Sequence, residues 1–243
     1  DFVQILGNVL DLGQPSDDTV TAAKLNDNMI SGLTALTSAP DDTDEFIISD
    51  AGTLKRIDAS LVGGKDFELL STNELSSDAA NVTCDDVFTS DFKIYKFFIH
   101  NLEPNTEAAR LNMYYRQGGS DVTDAHYHWL IGADILYGSD SGSTTNQEKD
   151  AHGSKIVLTS EMKKTGNYTN SVELTLFNPL GTDRYKACMW HNQNFGNALT
   201  DLSRNYIGVA LYDNNTTALS GIKFIMDSGD IDSGAIFKMY GLK

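Results

Sequence analysis

Apolar and polar residues alternate strictly in several segments of the second part of the chain. Such alternation predicts strands with one buried face, because successive side chains of a strand point to opposite sides. The clearest rows run from Leu111 to Tyr115, from Tyr127 to Ile135, from Val172 to Leu176 and from Ile207 to Leu211. One face of these strands is expected to form the core, and the predicted core residues are Tyr127, Trp129, Ile131, Leu174, Leu176, Val209 and Phe224.

These rows indicate a sandwich of antiparallel strands at residues 67–243. Apart from Lys96 and His100, the segment Phe92–Leu102 is apolar on both faces and predicts a central strand. Breaks rich in Gly, Asn, Asp and Ser separate about nine strand patterns, a number typical of a two-sheet sandwich. The predicted fold class is therefore mostly β. We expect a jelly-roll-like antiparallel β-sandwich with less than about a tenth of its residues in helices, preceded by an extended N-terminal arm.

The arm, residues 1–66, has a different pattern. Between Thr21 and Leu36 the apolar residues are spaced as in a short helix. Farther on, Glu45–Ser49 and Thr53–Ile57 read as the two strands of a hairpin joined by a tight turn at Gly52. A short helix and one hairpin cannot bury a core by themselves. We therefore expect the arm to need a partner surface.

Three copies of the arm would supply such a surface to one another. Packing around a threefold axis hides an apolar stripe that a single copy would expose to water. The side chains expected to make these trimer and anchor contacts are Leu25, Met29 and Ile30. Each could contribute about 1.5–3 kcal/mol when fully buried. The sequence thus predicts a homotrimer.

The charge of the chain argues against one class of partner. There are 34 acidic and 18 basic residues, which give a net charge of −16 spread along the sequence. Nucleic-acid binding depends on clustered Lys and Arg, and the sequence contains no such cluster. It also contains no apolar stretch near the ~20 residues of a membrane helix. We expect neither nucleic-acid binding nor membrane insertion.

Two segments carry a resemblance to a known group of proteins. The runs Thr19–Leu25 and Asp44–Ile57 resemble linker segments of virion structural and tail-fibre proteins of marine bacteriophages, cyanophages among them. The run from Ile222 to Gly241 is similar to the last two strands of sandwich domains in the same proteins. The resemblance implies a non-enzymatic virion protein, a trimeric tail-fibre or spike component. Residues 1–66 would then bind other tail or capsid proteins, and the sandwich would contact a host surface glycan.

Other functions stay open at this point. A capsid decoration or capsid-fibre protein would show the same physical features as a fibre. A carbohydrate-active enzyme or a cupin-like metalloenzyme is a third class, and His126 and His128 are its candidate metal ligands because residues i and i+2 of a strand share a face. The Glu and the later His that cupins require after this pair are missing. We therefore predict no metal, no cofactor and no catalytic residue.

Aromatic side chains on the predicted strands are candidates for contact with the host. Sugars stack on exposed aromatic rings, although an aromatic residue in a sandwich more often belongs to the core or to an interface. The candidates are Tyr114, Trp190, Tyr206 and Tyr212. The two cysteines, Cys84 and Cys188, form no metal-binding motif, and we expect them to be free thiols rather than a disulfide.

Overall fold

The computed structural model of this chain describes residues 31–38, 40–62, 66–137, 143–164, 170–195 and 201–243. The side chains of residues 133–137, 143–146 and 201–203 are not described. The chain divides into two units, Asp1–Gly64 and Lys65–Lys243.

The first unit contains the predicted hairpin. Its strands are β1 (Glu45–Asp50) and β2 (Thr53–Asp58), followed by one 3-10 turn at Ala59–Leu61. The two residues of the connecting turn both have positive φ angles, 49° at Ala51 and 84° at Gly52. This is the requirement of a type I′ turn, whose twist matches that of the flanking strands. The hairpin prediction is confirmed.

The predicted helix in the arm is only partly within the described residues. Residues 34–37 have no regular secondary structure, so this part of the segment Thr21–Leu36 is not helical. Gly32 and the Thr and Ser residues around it favour a chain that leaves the helical conformation here. The earlier part of the predicted helix lies outside the described residues, as do the predicted trimer contacts Leu25, Met29 and Ile30.

Apolar side chains lie exposed on both faces of the hairpin. Ile47 pairs with Arg56 on one face and is 81% exposed, whereas Phe46 pairs with Ile57 on the other face and is 42% exposed. Leu54 is 76% exposed. None of the described residues of this unit is buried. The hairpin therefore has no core of its own.

The second unit consists of strands in two antiparallel sheets. Within the described residues, the larger sheet contains eight strands. In chain order they are β3 (Phe67–Glu74), β5 (Ile94–Leu102), β8 (Tyr127–Tyr137), β9 (Ser143–Gly153), β11 (Asn170–Phe177), β12 (Lys186–Asn194), β13 (Asp201–Tyr212) and β15 (Ile236–Leu242). The smaller sheet contains β4 (Val82–Asp85), β6 (Leu111–Gln117), β7 (Ser120–Asp121), β10 (Ile156–Val157) and β14 (Gly221–Met226).

The pairing of the strands is nested from the outside inward. Strand β3 pairs with β15 and β4 pairs with β14, so the first strands of the sandwich meet the last. Next inward, β15 pairs with β5 and β14 pairs with β6, followed by β5 with β11 and β6 with β10. This wrapping of a folded chain over two sheets is the jelly roll. The hairpins β8–β9 and β12–β13 extend the larger sheet.

The core lies between the two sheets and includes most of the residues expected there. Tyr127, Ile131, Leu174, Leu176 and Phe224 are buried, and the row Leu111, Met113 and Tyr115 is fully buried. The predicted central strand is confirmed as well, because β5 lies between β15 and β11. These elements agree with the alternation of their sequences.

Two of the predicted core residues differ from expectation. Trp129 is only partly buried against the core. The prediction for Val209 is wrong, because this side chain is 50% exposed. Strand β13 turns its other set of side chains inward, among them Tyr206 and Tyr212, and this places Val209 on the opposite side of the sheet.

Candidate functional site

The outer face of the larger sheet, which points away from the core, carries many exposed apolar side chains. Ile207 is 60% exposed, Val209 50% and Met189 45%. Leu130, Phe177 and Leu211 are exposed on the same face. An antiparallel sheet that packs one face on the core normally turns polar side chains to water on the other. The outer face departs from this pattern and is the candidate functional site.

The strand registers align these side chains in two rows that cross the sheet. The first row follows the partners Phe67, Leu242, Ile94, Phe177, Ala187 and Leu211. The second row follows Leu69, Tyr240, Lys96, Thr175, Met189, Val209 and Leu130. Neighbouring side chains within a row lie one strand spacing apart, about 4.8 Å. The apolar surface is therefore continuous from β3 to β8.

Two shallow cavities mark this surface. One has a volume of about 610 Å³, and its lining includes His128, Leu130, Val209 and Leu211. The other has a volume of about 480 Å³, and its lining includes Ile94, Phe177, Met189, Ile207 and Leu242. Ile207 and Val209 lie two positions apart on β13, so the two cavities belong to one surface. Both are lined mainly by apolar side chains.

Aromatic rings extend the outer face toward β3. Phe67 and Tyr240 stack with their ring centres 4.4 Å apart, and Phe98 meets Tyr240 edge-on at 5.5 Å. Lys96 lies 5.8 Å from the centre of the Phe98 ring, on the face where a cation is attracted. These contacts fix the orientation of the rings in the sheet.

The smaller sheet has an outer face of the opposite character. The Arg116 guanidinium donates to both carboxylate oxygens of Asp85, with its Nε 2.6 Å from Oδ1, and it also pairs with Asp121. Lys223 Nζ lies 2.7 Å from Asp121 Oδ2. The hydrogen bond from Arg116 to Asp85 raises the pKa of the Arg116 guanidinium. This face is an ion-pair network of the kind expected on a solvated sheet.

The histidine pair lies at one edge of the outer face, and both rings contact one carboxylate. His126 Nδ1 lies 3.2 Å from Asp213 Oδ1, and His128 Nε2 lies 3.0 Å from Asp213 Oδ2. Desolvation raises the pKa of Asp213, but hydrogen bonds with the two histidines outweigh this effect and lower it. His152 stacks edge-on near His128 with ring centres 5.5 Å apart. His191 lies elsewhere, against Asn205.

This arrangement does not make a metal centre in the described structure. Among the described residues, no three His, Cys, Asp or Glu side chains converge in a way that could hold a metal ion. The carboxylate of Asp213 is the partner of both rings.

Three of the four aromatic candidates for host contact are buried. Trp190 and Tyr206 are each 1% exposed and Tyr212 is fully buried. The indole Nε1 of Trp190 donates to the Leu158 carbonyl at 2.8 Å. A ring inside the sandwich cannot stack on a sugar, so the expectation of exposed rings is wrong for these three. Tyr114, on the outer face of the smaller sheet, is partly exposed.

The two cysteines are free thiols, as expected. Cys84 lies on β4 of the smaller sheet and Cys188 on β12 of the larger one. Burial is the main cause that raises the pKa of Cys84 to about 11 and that of Cys188 to about 12. Both are therefore protonated and unreactive near neutral pH.

The sequence contains a signal for the outer face that alternation alone does not reveal. Strand β13 carries apolar or aromatic side chains in both of its alternating sets, the inward set with Tyr206 and Tyr212 and the outward set with Ile207, Val209 and Leu211. A strand that is apolar on both faces predicts cover on both faces. Only one of them is covered by the core.

Comparison with known proteins gives no match: no family model, curated protein or solved structure is similar to this chain. None of the described helices is both long enough and apolar enough to cross a membrane.

Proposed function

We propose that this chain is a bacteriophage virion structural protein, a homotrimeric tail-fibre or spike component. Residues 1–66 attach it to other proteins of the particle, and the sandwich is displayed outward toward the host. The role is structural rather than catalytic. The observation that carries the proposal is the exposure of apolar side chains on both faces of the β1–β2 hairpin, in contrast to the second unit, which buries its own core.

This contrast supports a division of labour between the two units. Ile47, Leu54 and Leu61 are exposed by 69% or more, and apolar groups on that scale gain free energy when a partner covers them. A particle surface or neighbouring copies supply that cover. The resemblance of the segment Asp44–Ile57 to linkers of phage fibre proteins favours the particle as the partner. The net charge of −16 suits a protein displayed in many copies, since like charge keeps neighbours apart.

Deletion of residues 1–66 tests the attachment. We expect the truncated protein to keep the circular dichroism of a β-sandwich and to be absent from purified particles. A finer test uses Ile47→Asp, which puts a charge in the apolar surface of the hairpin and should reduce incorporation. Ser49→Asp is the matched control, because Ser49 lies two positions along the same strand face.

The outcomes separate the alternatives. Particles that still carry the truncated protein would show that the sandwich docks and would reverse the assignment of the two units. Gold-labelled antibodies on intact particles then locate the protein. Label on the tail supports a fibre or spike, whereas label over the whole capsid would replace it with a decoration protein.

A further inference from the structure

We propose that the outer face of the larger sheet is the surface by which copies of this chain pack against one another. This inference rests on the proposed function for the identity of the partner, a further copy of the same chain. It adds a contact within the sandwich to the assembly expected from residues 1–66.

The contrast between the two outer faces is the first argument. The smaller sheet carries the Arg116 and Lys223 ion pairs on its outer face, with 13–32% of each of these side chains exposed, so this protein does build a polar outer face. The larger sheet instead exposes Ile207, Val209 and Met189 by 45–60%. The outer faces of the two sheets are thus suited to different surroundings. The outer face of the larger sheet is suited to a protein interface from which water is excluded.

The dimensions of the face are those of a protein interface. The first row crosses six strands and the second row crosses seven, from β3 to β8, a width of about 30 Å at the ordinary strand spacing. A standard interface covers roughly 800 Å² on each partner, which is about the area of a face of that width whose strands, such as the eight-residue β11, run for about 26 Å. The outer face is therefore large enough for a stable contact between copies.

The distribution of charge on the outer face of the larger sheet favours a second copy of the chain as its partner. Each copy carries a net charge of −16, so two copies repel wherever their carboxylates meet. The two rows, whose residues all belong to the described part of the chain, contain no carboxylate. Two carboxylates lie close to the rows: Glu173, which is paired with Lys96, and Asp150, which lines the cavity with Leu130 and Val209. Along the two rows themselves, copies of this acidic protein can approach without bringing acids together.

A glycan fits this surface less well. Sugar recognition needs polar groups that fix the orientation of the ligand. Within the two rows, the polar side chains are those of Lys96, Thr175 and the Tyr240 hydroxyl. Three copies can instead turn this face toward a common axis, where each half of the face meets a different neighbour. That arrangement closes and leaves no apolar surface over.

Sedimentation equilibrium of the full chain tests the proposal with one substitution. Val209→Glu places a carboxylate in the centre of the second row, at a side chain that is half exposed and not needed for the core. We expect the wild type to be an oligomer at micromolar concentration and the variant to associate at least a hundredfold more weakly. Thr83→Glu is the matched control, since it adds the same charge at an exposed strand position of the smaller sheet.

Circular dichroism establishes that each variant is folded, and Ile207→Lys serves as a second variant on the same face. A monomeric wild type would overturn the proposal. A Val209→Glu variant that associates as tightly as the wild type would also overturn the proposal. The same holds if the Val209→Glu oligomer dissociates only when Ile47→Asp is added. Particle incorporation of a monomeric wild type would refute the copy contact and leave the virion role standing.

Discussion

The close approach of Trp190 to Gly208 allows a sharp test of the core. The two residues are partners on adjacent strands, β12 and β13, and the indole lies over the glycine. A Cβ added at Gly208 would overlap the six-membered part of the indole, so Gly208→Ala forces the ring or the strand to move. Overpacking of a core in this way costs about 1–3 kcal/mol. We expect the free energy of unfolding to fall by that amount.

The same substitution should act differently once the ring is gone. Trp190→Leu alone should cost about 3 kcal/mol, as large core truncations do. The Leu158 carbonyl that loses the indole donor keeps its bond from Asn192. In this background Gly208→Ala meets no ring, and the smaller entropy of the unfolded chain should make it stabilising by about 0.4–1 kcal/mol. The methyl group added at position 208 is thus expected to lower the free energy of unfolding of the wild type and to raise that of the Trp190→Leu variant.

Denaturant unfolding followed by far-ultraviolet circular dichroism measures all four members of this cycle. The control is Gly132→Ala, on the neighbouring strand β8, where an added Cβ meets nothing within 4 Å. It should be neutral or stabilising in both backgrounds. An equal loss of stability from Gly208→Ala with and without the indole would refute the reasoning, because the cost would then come from the backbone of β13.

Two further predictions concern titratable groups. Desolvation raises the pKa of Asp121, but the interactions with Lys223 and Arg116 outweigh this effect and hold the pKa below the usual 3.8. The ionised Asp121 therefore contributes its full stabilisation above pH 3.8, and this contribution is lost as the pH falls through the depressed pKa. Thermal unfolding should therefore show the stability of the wild type dropping below about pH 4. The stability of the Asp121→Asn variant should drop less steeply with pH, and equal pH dependence of the two proteins would contradict this. At pH 8 a thiol reagent should label the buried Cys188 only at the rate of unfolding and the partly exposed Cys84 only slowly, as followed by mass spectrometry. Fast labelling of the native protein would count against their raised pKa values.

Alternation in the sequence predicted which side chains share a face, but it did not predict which face points inward where both faces are apolar. On β6 the two sets differ clearly, and the row Leu111, Met113 and Tyr115, predicted to share one face, is buried. On β13 both sets are apolar, and Val209 was assigned to the wrong one. The inward set contains Gly208, whose small size is required by an indole from the next strand. A contact between strands of this kind cannot be read from one strand alone.

The candidate site was predictable only in part for the same reason. The strands that build the outer face could be found, and the hairpin turn at Ala51 and Gly52 followed from its residues. The rows on the outer face arise from the order of strands in the sheet, which joins Leu242 to Ile94 and Ala187 to Leu211. Local patterns carry no information on that order. The burial of Trp190 likewise depends on the order of the strands in the sheet.

The nested pairing of the strands also has a consequence for how the domain folds. Strand β15 lies between β3 and β5, so the position next to the edge strand β3 is filled by the strand that comes last in chain order among those described. Until β15 arrives, β3 and β5 expose unpaired edges, and Leu242 must find Phe67 across almost the whole domain. Contacts this distant in sequence make folding slow and leave the open edges prone to aggregation. We therefore expect refolding yields to fall steeply with protein concentration, and a supply of free β15 peptide to compete for the gap between β3 and β5.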